Sequence, residues 1–369
     1  MKYIPYGKQF IDSTDIKNIT NSLKREKITT GNVVEKFENK LNNFLKSKYS
    51  LTCNSGTSAL FLAFQCLDIK KNDIIIMPSI TFVASYNIAK IFGAKVYLSD
   101  VDKFTGQMSP EHVIECCTKF NLKKVKIIVT MYNGGYPNDA FKFKSLKKRY
   151  NAFIVEDSCH AFGASYYNKK KKYMVGSCSH SDLATFSFHP VKTITTGEGG
   201  LVTTNHKKFY IKIKKLRSLG ILRSKKNHWE YDVINNGLNF RLTDFQCALG
   251  ISQLMKINKF IAYRKKIFVN YNKGLKNIKY LQIPKIQKNT DPSYHLYIIN
   301  INSKEKNVKN RFIKFMLKNK ILVQQHYIPL YKFKNFKDKF VRSNSEKYFK
   351  SAVSLPIYYK LNYSEQLKV

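Results

Sequence analysis

The chain has 369 residues, 43% of them hydrophobic, and its 65 basic and 24 acidic residues give a formal charge of +41. That apolar content excludes a disordered chain and suffices for two or three domain-sized units with a core. No segment reaches the ~18 uninterrupted apolar residues of a membrane span, and the start, MKYIPYGKQFID, has no apolar leader segment, so a soluble cytoplasmic protein without membrane contact is expected.

In chain order, apolar runs alternate with helical periods, the pattern of a parallel sheet covered by helices on both faces. Gly56-Thr57-Ser58 opens a helical run over 59–67, and strands follow at 74–77, 95–98 and 125–129. A basic helix over 143–150 precedes the strand Ile154-Val155-Glu156-Asp157. The lysine run 169–172, flanked by tyrosines, reads as a solvated hairpin tip. Further strands are expected at 183–188 and 201–204. Near residue 255 the texture changes to a helix at 268–275, a strand at 295–301, a helix at 308–317 and a strand at 321–325. The expected division is a large unit, 1–254, with an N-terminal arm, and a smaller α+β unit, 255–369.

Two run ends carry chemistry. The first strand of the pair ends in Asp157, at the sheet rim where open α/β sheets bind ligands. The second leads into His189-Pro190-Val191-Lys192, where proline ends the strand and lifts Lys192 onto a loop. A lysine there can condense with an aldehyde, and a permanent acid opposite a pyridine nitrogen is what pyridoxal phosphate chemistry needs. Taken singly, Lys192 reads equally as a surface charge and Asp157 as a helix cap. The glycines of Thr195-Thr196-Gly197-Glu198-Gly199-Gly200 allow a tight turn beneath the lysine. Gly56, Thr57 and Ser58 would present amides and hydroxyls to an anion at a helix N-terminus, or serve as ordinary caps.

The seven cysteines, at 53, 66, 116, 117, 159, 178 and 247, form no CxxC pair and no zinc spacing, so reduced thiols and no metal are expected. Cys159 lies two residues from Asp157 but reads better as a small buried hydrophobe than as a nucleophile. The positive charge would suit a nucleic acid, yet the lysines are spread along the chain and no recognition motif is visible. No nucleic-acid partner is expected.

The string ED-x-x-H-A-x-G-A…F-S-F-H-P-x-K-x-I-T-T-G-E-G-G resembles the DegT/DnrJ/EryC1/StrS family of sugar-nucleotide aminotransferases. The likeness extends to Asn54–Leu60 in sequence number, to Ser79-Ile80-Thr81-Phe82 and to Gly237-Leu238-Asn239-Phe240-Arg241-Leu242, and essentially all of 1–360 can be laid along it. It implies the aspartate aminotransferase-like fold type I of PLP-dependent transferases, an α/β fold with a mainly parallel central sheet and a smaller C-terminal α+β domain. It also implies PLP held by Lys192 with Asp157 at the ring nitrogen, and pyridoxamine phosphate as the intermediate form. Gly56, Thr57, Ser58 and Ser187 would meet the phosphate, Phe82 the ring face and His160 the neighbourhood of the ring oxygen. Asn239, with Arg241, would reach the phosphate region of a neighbouring subunit, so a homodimer with shared active sites is expected. Relatives that dehydrate sugars carry histidine in place of the lysine; Lys192 favours transamination.

His160, the segment around Lys192 and Gln324-Gln325-His326-Tyr327-Ile328-Pro329 are most similar to the subgroup of C4 aminotransferases of pseudaminic acid biosynthesis. That likeness implies a UDP-linked 4-keto sugar, UDP-2-acetamido-2,6-dideoxy-β-L-arabino-hexos-4-ulose, as acceptor and L-glutamate as amine donor. Tyr6, Lys27, Ile28, Thr29, Thr30, Arg241, His326 and Tyr327 are the implied substrate contacts. The alternatives are an enzyme for another 4-keto sugar, of the bacillosamine or perosamine type, and a basic binding protein on an inactive scaffold. Two departures from the pattern are the turn Tyr132-Asn133-Gly134-Gly135-Tyr136 and a tail, 361–369, expected to stop short of a final helix.

Overall fold

The structure is a computed structural model and describes residues 3–224, 226–303, 305, 307–336 and 342–369. Its strands begin with β1 (Tyr49–Cys53), β2 (Ile74–Pro78), β3 (Lys95–Ser99), β4 (Ile127–Met131) and β5 (Phe153–Asp157). The hairpin β6 (Ser165–Asn168) and β7 (Lys171–Met174) precedes β8 (Leu183–Ser187) and β9 (Gly200–Thr204). Seven of these form one sheet in the order β1-β9-β8-β5-β4-β2-β3. The strands β8, β5, β4, β2 and β3 run parallel, whereas β9 is antiparallel to both of its neighbours. β4, Ile-Ile-Val-Thr-Met, is buried along its whole length, as a central parallel strand covered on both faces must be.

Helices α1 (Ser13–Leu23), α2 (Asn32–Leu45), α3 (Gly56–Cys66), α4 (Ala84–Ile91), α5 (Pro110–Lys119), α6 (Lys144–Tyr150), α7 (Lys207–Leu216) and α8 (Asp244–Met255) surround the sheet. In α2, Val33, Phe37, Leu41 and Leu45 recur every four residues and are the buried stripe. Its start is capped from α8: the Asp244 carboxylate accepts from Gly31 N at 2.8 Å and from Val33 N at 3.1 Å. α3 is apolar on most faces because it lies in the core, with Leu60, Leu62, Ala63 and Phe64 buried. The lysine run lies where expected, at the β6–β7 tip, with Lys169 and Lys170 at φ 47° and 65°.

The chain continues through a second hairpin, β10 (Ile221–Arg223) and β11 (Tyr231–Val233), and then α9 (Ile257–Leu275), β12 (Leu281–Gln282), β13 (Thr290–Asp291) and β14 (Tyr297–Ile301). After α10 (Val308–Lys318) and α11 (Ser343–Ser351) come β15 (Ala352–Leu355) and α12 (Tyr363–Lys368). β12, β14 and β15 make a small antiparallel sheet. The stretch expected as a strand at 321–325 makes only isolated bridges, Ile4 with Ile321 and Gln324 with Ser354. The tail corrects another expectation: it folds as α12, where Asn362 and Glu365 form a reciprocal capping box. The division at 254/255 falls beside Lys256, which ends α8 and starts α9, and it stands as a proposal. Ile4 of the N-terminal arm belongs to the hydrophobic cluster of the small sheet. Among the described residues no helix is long and apolar enough to cross a membrane.

Candidate active site

A cavity of about 560 Å³ opens at the carboxyl ends of β5 and β8 and is closed on its far side by the segment around Tyr327. Of the residues singled out from the sequence, Tyr6, Gly56, Thr57, Phe82, Asp157, His160, Ser187, Lys192, His326 and Tyr327 line it. The cavity gathers them from both ends of the chain.

Lys192 is placed by the loop between the antiparallel strands β8 and β9. Phe188 N donates to Gly199 O at 2.8 Å, Thr196 N to Phe188 O at 3.0 Å and Lys192 N to His189 O at 2.9 Å, which closes the loop on itself. The Lys192 amine faces the cavity, and desolvation lowers its pKa from the ordinary lysine value. Asp157, at the last position of β5, is buried, and one carboxylate oxygen accepts from Cys159 N at 3.2 Å. Burial raises its pKa, with the Cys159 hydrogen bonds and the charge of Lys192 opposing. Cys159 itself is held far above the ordinary thiol value by burial, then by the Asp157 charge, which disfavours the thiolate. All seven cysteines are free.

The floor is the start of α3. Its N-cap is Ser55, whose hydroxyl accepts from Ser58 N at 3.0 Å. The Ser58 hydroxyl is also spent within the turn, 2.6 Å from Asn54 Oδ1 and 2.9 Å from Ser55 Oγ, and Ser58 does not line the cavity. Within this chain Ser55, rather than Ser58, borders the cavity. Gly56 packs so closely on β8 that a Cβ there would lie 2.8 Å from Ser187 Cβ. Phe82 leaves 52% of its surface open, with its ring 5.8 Å from that of Tyr327. A half-buried amine, a buried carboxylate with no salt-bridge partner among the described residues, an open aromatic face and a helix N-terminus together fit a phosphorylated pyridine aldehyde.

His160 lines the cavity, and protein groups meet both its nitrogens. Gly134 N donates to Nδ1 at 3.3 Å, and Nε2 lies 2.9 Å from the Tyr327 hydroxyl. Burial holds its pKa far below the ordinary imidazole value, with Lys192 and His326 adding to the effect. His326 is lowered to about 3 by burial and by Lys192. His189 and His295 also line the cavity, the ring centroid of His295 4.4 Å from that of His160. Sequence reasoning missed His295: it sits beside the apolar run of β14 and offers no local signal.

Lys27, Ile28, Thr29 and Thr30 are exposed and do not line this cavity. Asn239 is exposed, pairs with Ser218 in an isolated bridge and is equally outside it. Arg241 and Thr30 border a different cleft, beside Glu38 and Arg217. Within one chain the structure does not bring these residues to Lys192.

The sequence pattern of the DegT/DnrJ/EryC1/StrS aminotransferase family matches residues 9–369. The UDP-4-amino-4,6-dideoxy-N-acetyl-beta-L-altrosamine transaminase of Campylobacter jejuni subsp. jejuni serotype O:23/36 (strain 81-176) is 37% identical over 362 residues, 97% of this chain and 93% of the relative. The GDP-perosamine synthase of Escherichia coli O157:H7 is 33% identical over 335 residues, covering 90% of this chain and 88% of that protein. Among solved structures, Helicobacter pylori PseC, an aminotransferase involved in the biosynthesis of pseudoaminic acid, superposes with a TM-score of 0.91 at 28% identity, covering 99% of this chain and 96% of that one.

Proposed function

The chain belongs to the DegT/DnrJ/EryC1/StrS aminotransferase family and is a PLP-dependent nucleotide-sugar aminotransferase, and from that premise we propose that it moves the amino group of L-glutamate to C4 of UDP-2-acetamido-2,6-dideoxy-β-L-arabino-hexos-4-ulose, a step of pseudaminic acid biosynthesis. The observation that carries the substrate is the 37% identity, along nearly the whole chain, to a transaminase named for the corresponding amino sugar.

Bound in the cavity, pyridoxal 5′-phosphate supplies the aldehyde that carries the amino group and the ring that accepts the charge left at the deprotonated carbon. Lys192 would hold the cofactor through its aldehyde. The Lys192 amine, once free, would move the proton at the donor's α-carbon, a task for which its lowered pKa suits it. Asp157 would face the ring nitrogen and keep the proton on it, the protonated ring adding to the opposing charge of Lys192 a second cation beside the buried carboxylate. Gly56, Thr57 and Ser187 would hold the phosphate, and Phe82 would cover one face of the ring. In the second half of the reaction Lys192 returns the proton to C4 of the sugar.

In this reading Asn239 and Arg241 serve the phosphate region of a second subunit's cavity, and Lys27 to Thr30 meet the nucleotide sugar there. Lys27 to Thr30 and Asn239 are exposed, Arg241 is half-buried and none of them lines the chain's own cavity, which supports that assignment. A second reading, amination of another 4-keto sugar, draws on the 33% identity to the perosamine synthase. Glutamate-dependent reactions with 4-keto UDP-sugars of the L-arabino and D-xylo series, with the product identified by NMR, separate the two. Amination of the L-arabino ketose is expected; preference for the D-xylo sugar would refute the pathway assignment.

A further inference from the structure

Building on the reading of this cavity as the amination site, we propose that Tyr327 presents its hydroxyl proton to an oxygen of the bound ligand, and that His160 is the positioning residue that aims it. The polarity of the chain of hydrogen bonds fixes this direction. The Gly134 backbone N–H lies 3.3 Å from His160 Nδ1, and an amide can only donate, so Nδ1 carries no proton. His160 is buried and uncharged, so its single ring proton sits on Nε2. That proton is donated to the Tyr327 oxygen 2.9 Å away. Tyr327 therefore accepts from His160, and among the described residues no other hydrogen-bond partner of its hydroxyl is found. Its own proton is left for the cavity that the residue lines. Burial, and after it the Asp157 charge, keeps the phenol far above its ordinary pKa, so the proton stays in place.

The turn that departs from the family pattern is what sets this arrangement. Gly134 and Gly135 have φ of 74° and 87°, and a Cβ on Gly135 would lie 2.1 Å from Ser293 Oγ and 2.5 Å from His160 O. Beside them Asn133 Nδ2 donates to the Tyr348 hydroxyl at 2.8 Å, and Tyr348 donates to His326 O at 2.7 Å. One turn thus holds the imidazole through Gly134 and, through Asn133 and Tyr348, the backbone just before Tyr327. The ring is closed by the His160–Tyr327 bond. The acceptor is an electron-rich oxygen, either the ring oxygen of the cofactor or an oxygen of the sugar.

The test compares Tyr327→Phe and His160→Gln with the wild-type holoenzyme. The glutamine amide can accept from Gly134 and donate to Tyr327, so it preserves the polarity. If the acceptor is on the cofactor, Tyr327→Phe displaces the visible absorbance band without any sugar present and weakens PLP binding about tenfold. If it is on the sugar, the band and PLP affinity stay unchanged while KM for the ketose rises about tenfold. In either case His160→Gln stays within a few-fold of wild type. Tyr327→Phe leaving band, PLP affinity and KM at wild-type values would overturn the proposal, as would His160→Gln matching the loss in Tyr327→Phe. Failure of the proposed substrate would appear separately, as wild-type protein that does not aminate this ketose; the band and PLP affinity of Tyr327→Phe, and its KM for the 4-keto sugar that the wild type does aminate, then still decide the role of Tyr327.

Discussion

Gly56 and Ser187 are in such close contact that a single methyl group on Gly56 would lie 2.8 Å from the Ser187 Cβ. The start of α3 and the end of β8 are thereby locked as one wall of the cavity. Gly56→Ala should push them apart, destabilise the fold by about 1–3 kcal/mol and weaken PLP binding. Thermal unfolding and cofactor titration of the same variant would check both effects; unchanged PLP affinity would detach this wall from the phosphate.

Asp157 is a buried carboxylate whose pKa is raised because burial outweighs its hydrogen bonds and the charge of Lys192. Replacing it by asparagine relieves that cost in the apoprotein but removes the acid opposite the ring nitrogen. The expected result is an apoprotein at least as stable as wild type with turnover lower by about 10² or more. A variant with near-normal turnover would contradict the role assigned to Asp157.

Glu156, next to it, is buried, accepts from Gly176 N at 3.3 Å and is pushed up to about 7, mainly by desolvation. The folded state therefore binds this proton more tightly than the unfolded chain does. Its contribution is fully favourable below the ordinary value of 4.5 and is lost as pH rises through about 7. Apoprotein stability should fall by up to about 3 kcal/mol across that window, and Glu156→Gln should flatten the slope. Denaturant melts of both proteins at a series of pH values would measure it.

Asn239 lies outside the cavity that holds Lys192 in its own chain. If it serves a partner's site, Lys192→Ala and Asn239→Ala are each inactive alone but complement when mixed under conditions that exchange subunits. In the hybrid one site keeps both Lys192 and a wild-type Asn239. An inactive mixture in which hybrid dimers are demonstrated would show that the sites are not shared this way.

The chemistry-bearing string 154–200 was legible because β5, the Lys192 loop and β9 are close in sequence, so their residue types and spacing are read together. The parallel strands could be seen for the same reason: runs such as Ile-Ile-Val at β4 are apolar on both faces. His295 and the polarity of the His160–Tyr327 bond were not legible, since they arise where the 293–295 and 326–327 segments meet His160 from more than 130 residues away. The place of Ser58 was not legible because a serine at a helix start serves equally as cap or ligand, and here its hydroxyl turns to Asn54. The antiparallel β9 leaves no trace in periodicity, as a buried strand reads alike in either direction.

The central claim is that Lys192 carries amino transfer in this cavity, and the most direct measurement is the glutamate half-reaction without sugar. PLP-loaded wild-type protein mixed with L-glutamate should lose its visible band and release about one equivalent of 2-oxoglutarate per site, whereas Lys192→Ala should do so slower by several orders of magnitude. A Lys192→Ala protein that releases 2-oxoglutarate at the wild-type rate would contradict the account.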